Sequence, residues 1–377
     1  MSLRSSMRVL VTGANGFLGQ NLTLHLSERK EIVVVPFTRE NDLDELFDLL
    51  HNVDFVFHLA GVNRPQDPKE FMMGNADLTS KLCNAIIATG RTIPVVYTSS
   101  TQASQNNPYG ISKLAAEELL FGLQHATGNP VHVFRLPNVF GKWSKPNYNS
   151  VVATFCYNLA NDLPIKINDP TVSLNLAYVD DVINRLIQIM DGSDRAIDQD
   201  GYEILYPQYQ ITLGELALQL KAFKGDRQNL TIGRVGTGLV RALYSTYVSY
   251  LSPNSFSYLV PIYEDARGVF VEMLKTPDCG QFSYFTAPPG ITRGGHYHHS
   301  KTEKFLVIKG MARFKFRQMH TNEVFELITE GRVPTIVETI PGWTHDVTNI
   351  GDEEMVVMLW ANELFDRAHP DTYACPL

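Results

Sequence analysis

The stretch RVLVTGANGFLGQNLTLHL, residues 8–26, decides the fold of the first half of the chain. Its opening apolar run, centred on Val9 to Val11, predicts a buried strand. Gly13, Gly16 and Gly19 follow, and apolar residues at helical spacing come after them. Glycines placed this way permit a tight turn, let the backbone approach a pyrophosphate, and allow a helix to pack closely on a strand. The pyrophosphate would rest on the helix N-terminus, where unpaired amides and the helix dipole favour an anion.

The same alternation continues outward. EIVVVPF (31–37), VDFVFHLAG (53–61), IPVVYTSS (93–100) and PVHVFRLPNVFG (130–141) predict strands, and NDLDELFDLLHN (41–52) and NADLTSKLCNAIIATG (75–90) predict helices. Near-continuous apolar strands imply burial on both faces and hence a parallel, doubly wound α/β sheet of the Rossmann type. The 377 residues suit two domains, and 44% apolar with 19% charged residues marks a soluble globular protein. A net charge of -8 points away from nucleic acid and anionic membrane surfaces. Cys83, Cys156, Cys279 and Cys375 form no CxxC pair, which fits a reducing, cytoplasmic setting. No apolar run is long enough to predict a membrane span. The opening MSLRSS reads as a remnant of expression, with Met7 as the native start.

Chemistry enters with YTSSTQASQNNPYGISKLAAEELL (97–120). Tyr109 and Lys113 stand four apart at the start of a helical run, so both project from one face. An ammonium beside a phenol favours the phenolate and lets the tyrosine exchange a proton near neutral pH. Ser100, at the end of the preceding strand, is placed to hold a substrate carbonyl; Thr101 or Ser99 takes that role if the strand end shifts by one residue.

Residues 7 to about 245 resemble an extended short-chain dehydrogenase/reductase. The resemblance rests on Thr12-Gly13-Ala14-Asn15-Gly16-Phe17-Leu18-Gly19, His58-Leu59-Ala60-Gly61, the TSST segment, Tyr109-x-x-x-Lys113, RLPNVFG and YVDDV. It implies that Tyr109 is the general acid of a carbonyl reduction, that Lys113 bonds the nicotinamide ribose and tunes Tyr109, and that Ser100 polarises the carbonyl. It implies a cofactor cradle of Gly13, Asn15, Gly16, Phe17, Leu18, Gly19, Leu59, Ala60, Gly61, Lys113 and Leu136, and places Arg135, Pro137 and Asn138 near nicotinamide and substrate. At the end of the second strand, Thr38 and Arg39 replace the usual acidic residue, which favours NADPH, although Glu40 and Asp42 follow closely enough to leave NADH open.

After about residue 190 the pattern changes. Val235, Leu239, Leu243 and Tyr247 form a helical stripe expected to cap the first domain, and Pro253 ends that helix. GVFVEML, GQFSYFTA, KFLVIKG, ARFKFRQM, VFELI, TIVETI and EEMVVMLW then predict an antiparallel barrel or sandwich. The boundary is expected near residue 252, giving domains 7–252 and 253–377. His296 and His298 share a strand face, and Glu303 and His345 add further donors suited to Zn, Ni, Fe or Mn. The spacing Gly290-x5-His296-x-His298-x4-Glu303-x6-Gly310 resembles the first cupin motif, and Gly342, His345 and Asn349 resemble the second, with Pro341 one position closer than usual.

A reductase joined to a jelly-roll cupin resembles the bifunctional enzymes of capsular polysaccharide biosynthesis. The resemblance implies a homodimer that epimerises C3 of a UDP-linked 4-keto-6-deoxy-N-acetylhexosamine and then reduces C4. His296, His298, Glu303 and His345 are the expected ligands of a divalent metal, zinc foremost, with three or all four of them binding. Tyr297, His298, Lys304 and His345 are candidates for proton transfer, His298 being the ligand most readily released. A structural metal, or a cupin used only for binding or dimerisation, are the alternatives.

Overall fold

The computed structural model describes residues 6–193, 195–265, 268–271, 274, 280–363 and 368–377; Cys279 and part of GVFVEML, at Glu272 and Met273, lie outside them. The chain forms two compact units, Met1–Val139 with Asn175–Gln210, and Phe140–Leu174 with Ile211–Leu377.

In the first unit, β1 (Met7–Thr12), β2 (Ile32–Phe37), β3 (Phe55–His58), β4 (Val95–Ser100) and β5 (Val131–Leu136) form a parallel sheet in the order β2-β1-β3-β4-β5. The predicted strands are all present. Leu10, Val56, Val95 and Val133 pack with Leu82, Ile86 and Leu120 into one core, which is why these strands carry so few polar residues. The chain steps outward from β1 to β2 and then crosses back to β3, so strand order reverses between β1 and β3. Ligands of doubly wound sheets bind beyond the carboxyl ends of the strands at such a point.

The helix Pro108–Thr127 is defined at both ends by its sequence. Asn107 accepts the Gly110 amide, Pro108 occupies the first turn, and Gly128 closes the helix at φ +75°. Tyr109 therefore sits in its first turn. The helix predicted over 75–90 begins differently: Met72–Asp77 is a π-helical turn, and the regular helix runs Leu78–Thr89. Asn75 accounts for the difference, because its buried side chain bonds both Val62 N and Val62 O and donates to Ser112 Oγ.

The second unit carries two antiparallel five-stranded sheets. One has the order Gln281–Ala287, Met355–Ala361, Glu303–Lys309, Thr335–Glu338, Ser257–Leu259; the other has Val324–Glu330, Met311–Gln318, Trp343–Asn349, Thr292–Tyr297, Tyr373–Ala374. Their inner faces meet through aromatic residues, with the Phe305 and Phe314 rings 5.7 Å apart. This is the expected jelly-roll sandwich. The helical stripe is partly displaced: Gly238–Ser249 is helical, whereas Val235 is buried ahead of it because Thr237 is extended and Gly238 takes φ +60°. That helix lies in the second unit, where Arg241 and Ser245 bond Ser300. Among the described residues no helix is long and apolar enough to cross a membrane.

Candidate functional site

The glycine turn is built as its sequence requires. Gly13 closes β1 at φ +69°, and a Cβ there would lie 2.8 Å from the Ala60 backbone. A Cβ on Gly19 would lie 2.1 Å from Gly13 O, so the helix Phe17–Ser27 can approach the turn only without a side chain. Gly16 is its N-cap and supplies no side-chain bond, while Asn15 and Gly16 are exposed and Phe17 and Leu18 half-buried around the helix start. These features fit a pyrophosphate held by backbone amides. Arg39 is exposed two residues beyond β2, and Leu136 is buried at the end of β5.

A buried hydrogen-bond chain holds the ends of β1 and β3 together. Ala60 N donates to Thr12 Oγ1, which lies 2.7 Å from His58 Nδ1, and His58 Nε2 lies 2.9 Å from Thr79 Oγ1. Burial, and then the charge of Lys113, push the His58 pKa down to about 3, so its imidazole is neutral. Leu59, Ala60 and Gly61 continue from this anchor. A Cβ on Gly61 would come 2.8 Å from Asn75 Oδ1 and 3.3 Å from Lys113 Nζ, so the Gly61 backbone and the lysine share one small space.

Lys113 is fully buried, donating to Thr98 O at 3.0 Å and to Tyr97 Oη at 3.3 Å. Burial lowers its pKa to about 8, against the opposing charge of Glu117. Tyr109 is half-buried one turn earlier, with its ring 5.6 Å from that of Phe71. Ser100 is half-buried at the end of β4 and accepts the Gln102 amide. Of its two alternatives, Ser99 is turned inward to donate to Glu117, and Thr101 is exposed at the start of a 3-10 turn.

Sequence reasoning missed Glu117. Its carboxylate is fully buried, and besides Ser99 it accepts a two-nitrogen contact from Arg135 at 3.0 and 2.6 Å and the Tyr202 hydroxyl at 2.9 Å. The Arg135 guanidinium also stacks 3.9 Å over the Tyr202 ring. Tyr109, Lys113 and Glu117 lie four apart on one helix face, and that spacing was the available signal.

In the second unit the four predicted ligands converge. His296, His298, Glu303 and His345 each offer a donor atom, and the four atoms lie within 4.8 Å of one another. His296 and His345 are directly opposite on adjacent antiparallel strands, and Glu303 enters from the facing sheet. Gly294 (φ +95°) and Gly295 (φ +72°) form a bulge before His296; a Cβ on Gly294 would lie 3.0 Å from His345 O. His298 Nε2 is 3.1 Å from Glu303 Oε2, and its Nδ1 contacts the carbonyl of Asp371, which fixes the ring and leaves Nε2 for the cluster. The Asp371 carboxylate in turn accepts the amides of His299, Ser300 and Lys301, a support that sequence reasoning did not find.

The electrostatics suit a cation. Burial, then His345 and His298, push the His296 pKa down to about 3, and burial likewise lowers His345. Burial alone would raise Glu303, but the charge and hydrogen bond of His298, with His345 beside them, hold it well below the usual carboxylate range. His345 is buried with neither ring nitrogen hydrogen-bonded among the described residues, and its Nε2 stands 3.5 Å from Glu303. Three imidazoles and one carboxylate, with both His345 nitrogens orphaned, fit a divalent metal. A cavity of about 180 Å³ adjoins three of them, walled by Phe285, Phe305, Phe314, Val347 and Leu359.

Two proton-transfer candidates are corrected. Tyr297 and Lys304 are each one residue from a ligand on an extended strand, so they face away from the cluster. Tyr297 stacks on Tyr373 at 5.5 Å, and Lys304 pairs with Glu338 and donates to Tyr258. Asn349, from the second motif, is buried and bonds Ala287 O and Glu353 O as a structural clamp.

Family comparisons agree with both halves. Residues 9–204 match the NAD dependent epimerase/dehydratase family and residues 263–373 the polysaccharide biosynthesis C-terminal domain. A UDP-2-acetamido-2,6-beta-L-arabino-hexul-4-ose reductase of Pseudomonas aeruginosa is 61% identical over 98% of each chain. The crystal structure of the capsular polysaccharide assembling protein CapF from Staphylococcus aureus is 40% identical with a TM-score of 0.68, covering 98% of this chain and 100% of that one. A structure of CapF with inhibitor 3-isopropenyl-tropolone is 36% identical with a TM-score of 0.62 over the same shares. The chain thus belongs to the NAD dependent epimerase/dehydratase family, as a CapF-like capsular polysaccharide biosynthesis protein that adds the polysaccharide biosynthesis C-terminal domain.

Proposed function

We propose that the chain is a bifunctional nucleotide-sugar enzyme with a reductase region at 7–252 and a cupin at 253–377. The cupin epimerises C3 of a UDP-2-acetamido-2,6-dideoxy-4-hexulose. The reductase then reduces the C4 ketone to UDP-2-acetamido-2,6-dideoxy-L-talose, on the route to UDP-N-acetyl-L-fucosamine. The observation that carries this reading is the presence in one chain of the Tyr109 and Lys113 pair and the buried His296, His298, Glu303 and His345 cluster. The Pseudomonas relative, matched over nearly its whole length, is a 4-ulose reductase by name. The tropolone bound by CapF belongs to a class whose adjacent oxygens chelate divalent metals, which agrees with the donor set.

The Gly13 to Gly19 turn and Arg39 would hold NADPH, which would supply the hydride. Tyr109 gives its phenolic proton to the C4 oxygen, Ser100 donates a hydrogen bond to that oxygen, and Lys113 bonds the ribose and eases loss of the Tyr109 proton. In the cupin, a divalent metal held by His296, His298, Glu303 and His345 supplies Lewis acidity when bound. His298, released from that ligand set with its ring still oriented through Asp371 O, would exchange the proton at C3 through Nε2. The order follows from acidity: a C3 hydrogen is removable only while C4 is a ketone, so epimerisation precedes reduction. The working form is a homodimer.

The test is mass spectrometry of the 4-keto sugar incubated in heavy water without NADPH. Deuterium enters C3 with the wild-type chain and not with His296→Ala, and NADPH then yields the reduced sugar. NADPH-dependent reduction without any C3 exchange would leave a single-function reductase whose cupin serves binding or dimerisation.

A further inference from the structure

The inner faces of the cupin sheets follow a simple rule with one exception. His345 and Val347 point inward on the strand Trp343–Asn349, and the residues opposite them are His296 and Arg293. His296 and Arg293 are three apart, so a regular strand would place them on opposite faces; the bulge between Gly294 and His296 puts them on the same one. Arg293 therefore occupies an inward position beside the apolar side chains Phe285, Phe305, Phe314, Val347 and Leu359 that wall the cavity around the ligand cluster.

Arg293 is exposed, its charge lies over the Phe285 ring at 5.0 Å, and one nitrogen reaches Thr286 O at 3.4 Å. Among the described residues it forms no ion pair. Asp346 also lines the cavity, but it faces Lys315 across the strand register, with the charges of Lys315 and Arg313 beside it. The cavity volume sets the remaining constraint. About 180 Å³ is well below the roughly 300–1,000 Å³ that a complete drug-sized ligand occupies. A hexulose ring is the part that fits inside, and the nucleotide must continue outward past the rim, where the exposed Arg293 stands.

We infer that Arg293 is the anion anchor of the cupin site, its guanidinium gripping the diphosphate of the nucleotide sugar while the hexulose ring lies in the cavity beside His296, Glu303 and His345. A planar five-donor cation with no carboxylate partner among the described residues suits two-point contact with phosphate oxygens. The inference rests on the epimerase reading for its substrate, and two measurements separate them. In C3 exchange without NADPH, Arg293→Ala raises KM for the UDP-linked ketone by about 10- to 100-fold, with a much smaller change in maximal rate, and Arg293→Lys lies between. An unchanged KM, or a loss confined to the maximal rate, overturns the anchor while the epimerase stands. Calorimetric titration with UDP gives two sites per chain in the wild type and one in Arg293→Ala, with melting temperature as the control on folding. If the wild type shows no C3 exchange, the epimerase reading fails and this titration still decides: equal site numbers in both proteins overturn the anchor, and loss of one site upholds it.

Discussion

Replacing Lys113 by Met removes a proton-binding group whose affinity changes on folding. Burial holds the Lys113 pKa at about 8 instead of 10.5. At about 1.4 kcal/mol per pH unit, that difference is worth roughly 3 kcal/mol. The sign follows from which state keeps the proton. Between pH 8 and pH 10.5 the unfolded chain still carries the ammonium proton that the native chain has released, so native stability rises with pH across this window. The gain is complete above the unfolded value and lost as pH falls through about 8. Urea unfolding of wild type and Lys113→Met, without cofactor and in steps from pH 7 to pH 11, isolates the effect because the other titrating groups are shared. The wild-type minus variant difference climbs by about 3 kcal/mol over the window. Parallel curves would refute the buried-ammonium assignment, and with it the view that the fold carries an unfavourable charge beside Gly61 for the sake of the reaction.

Glu117→Ala leaves Arg135, Ser99 and Tyr202 without their shared carboxylate and costs about 1–3 kcal/mol, read as a lower urea midpoint at unchanged slope. Gly19→Ala drives a methyl into Gly13 O and weakens binding of the reduced nicotinamide cofactor by about tenfold or more, measured by fluorescence titration. Stripping a bound divalent metal with a chelator lowers unfolding stability by about 2.7 kcal/mol from its value at 100 times Kd, and His345→Ala abolishes that metal-dependent increment.

Much of both sites was legible because their chemistry is local in sequence. The turn from Gly13 to Gly19, the Tyr109 and Lys113 step, and the His296 to Glu303 run each place their residues within a single turn, helix face or strand pair. What stayed hidden depends on distant partners or on a shift of register. Glu117 looked like an ordinary helix acid until Ser99, Arg135 and Tyr202 closed around it, from positions up to 85 residues away. Asp371 sits near the C-terminus and supports a loop some 70 residues earlier. Tyr297 and Lys304 were proposed by proximity in sequence, where strand alternation sends them to the opposite face. Arg293 was overlooked for the converse reason, since only the bulge at Gly294 and Gly295 brings it to the inner face.

Two histidines show how a structural role separates from a functional one. His58 and His345 are both buried, and burial lowers the pKa of both. Burial alone offers no way to rank them, since each stands on a strand and is almost fully enclosed. Their partners do. Both ring nitrogens of His58 are engaged, one by Thr12 and one by Thr79, so the cost of burying a polar ring is offset inside the fold and the residue serves as a clamp between strand ends. Neither ring nitrogen of His345 has such a bond, yet Phe305, Phe316 and His296 pack around its ring and hold it in place. A neutral imidazole fixed in an apolar wall and denied internal partners loses about 1–3 kcal/mol per unsatisfied group. A fold retains that cost where something outside the chain completes the bond, and the neighbouring donors of His296, His298 and Glu303 point to a cation as that partner.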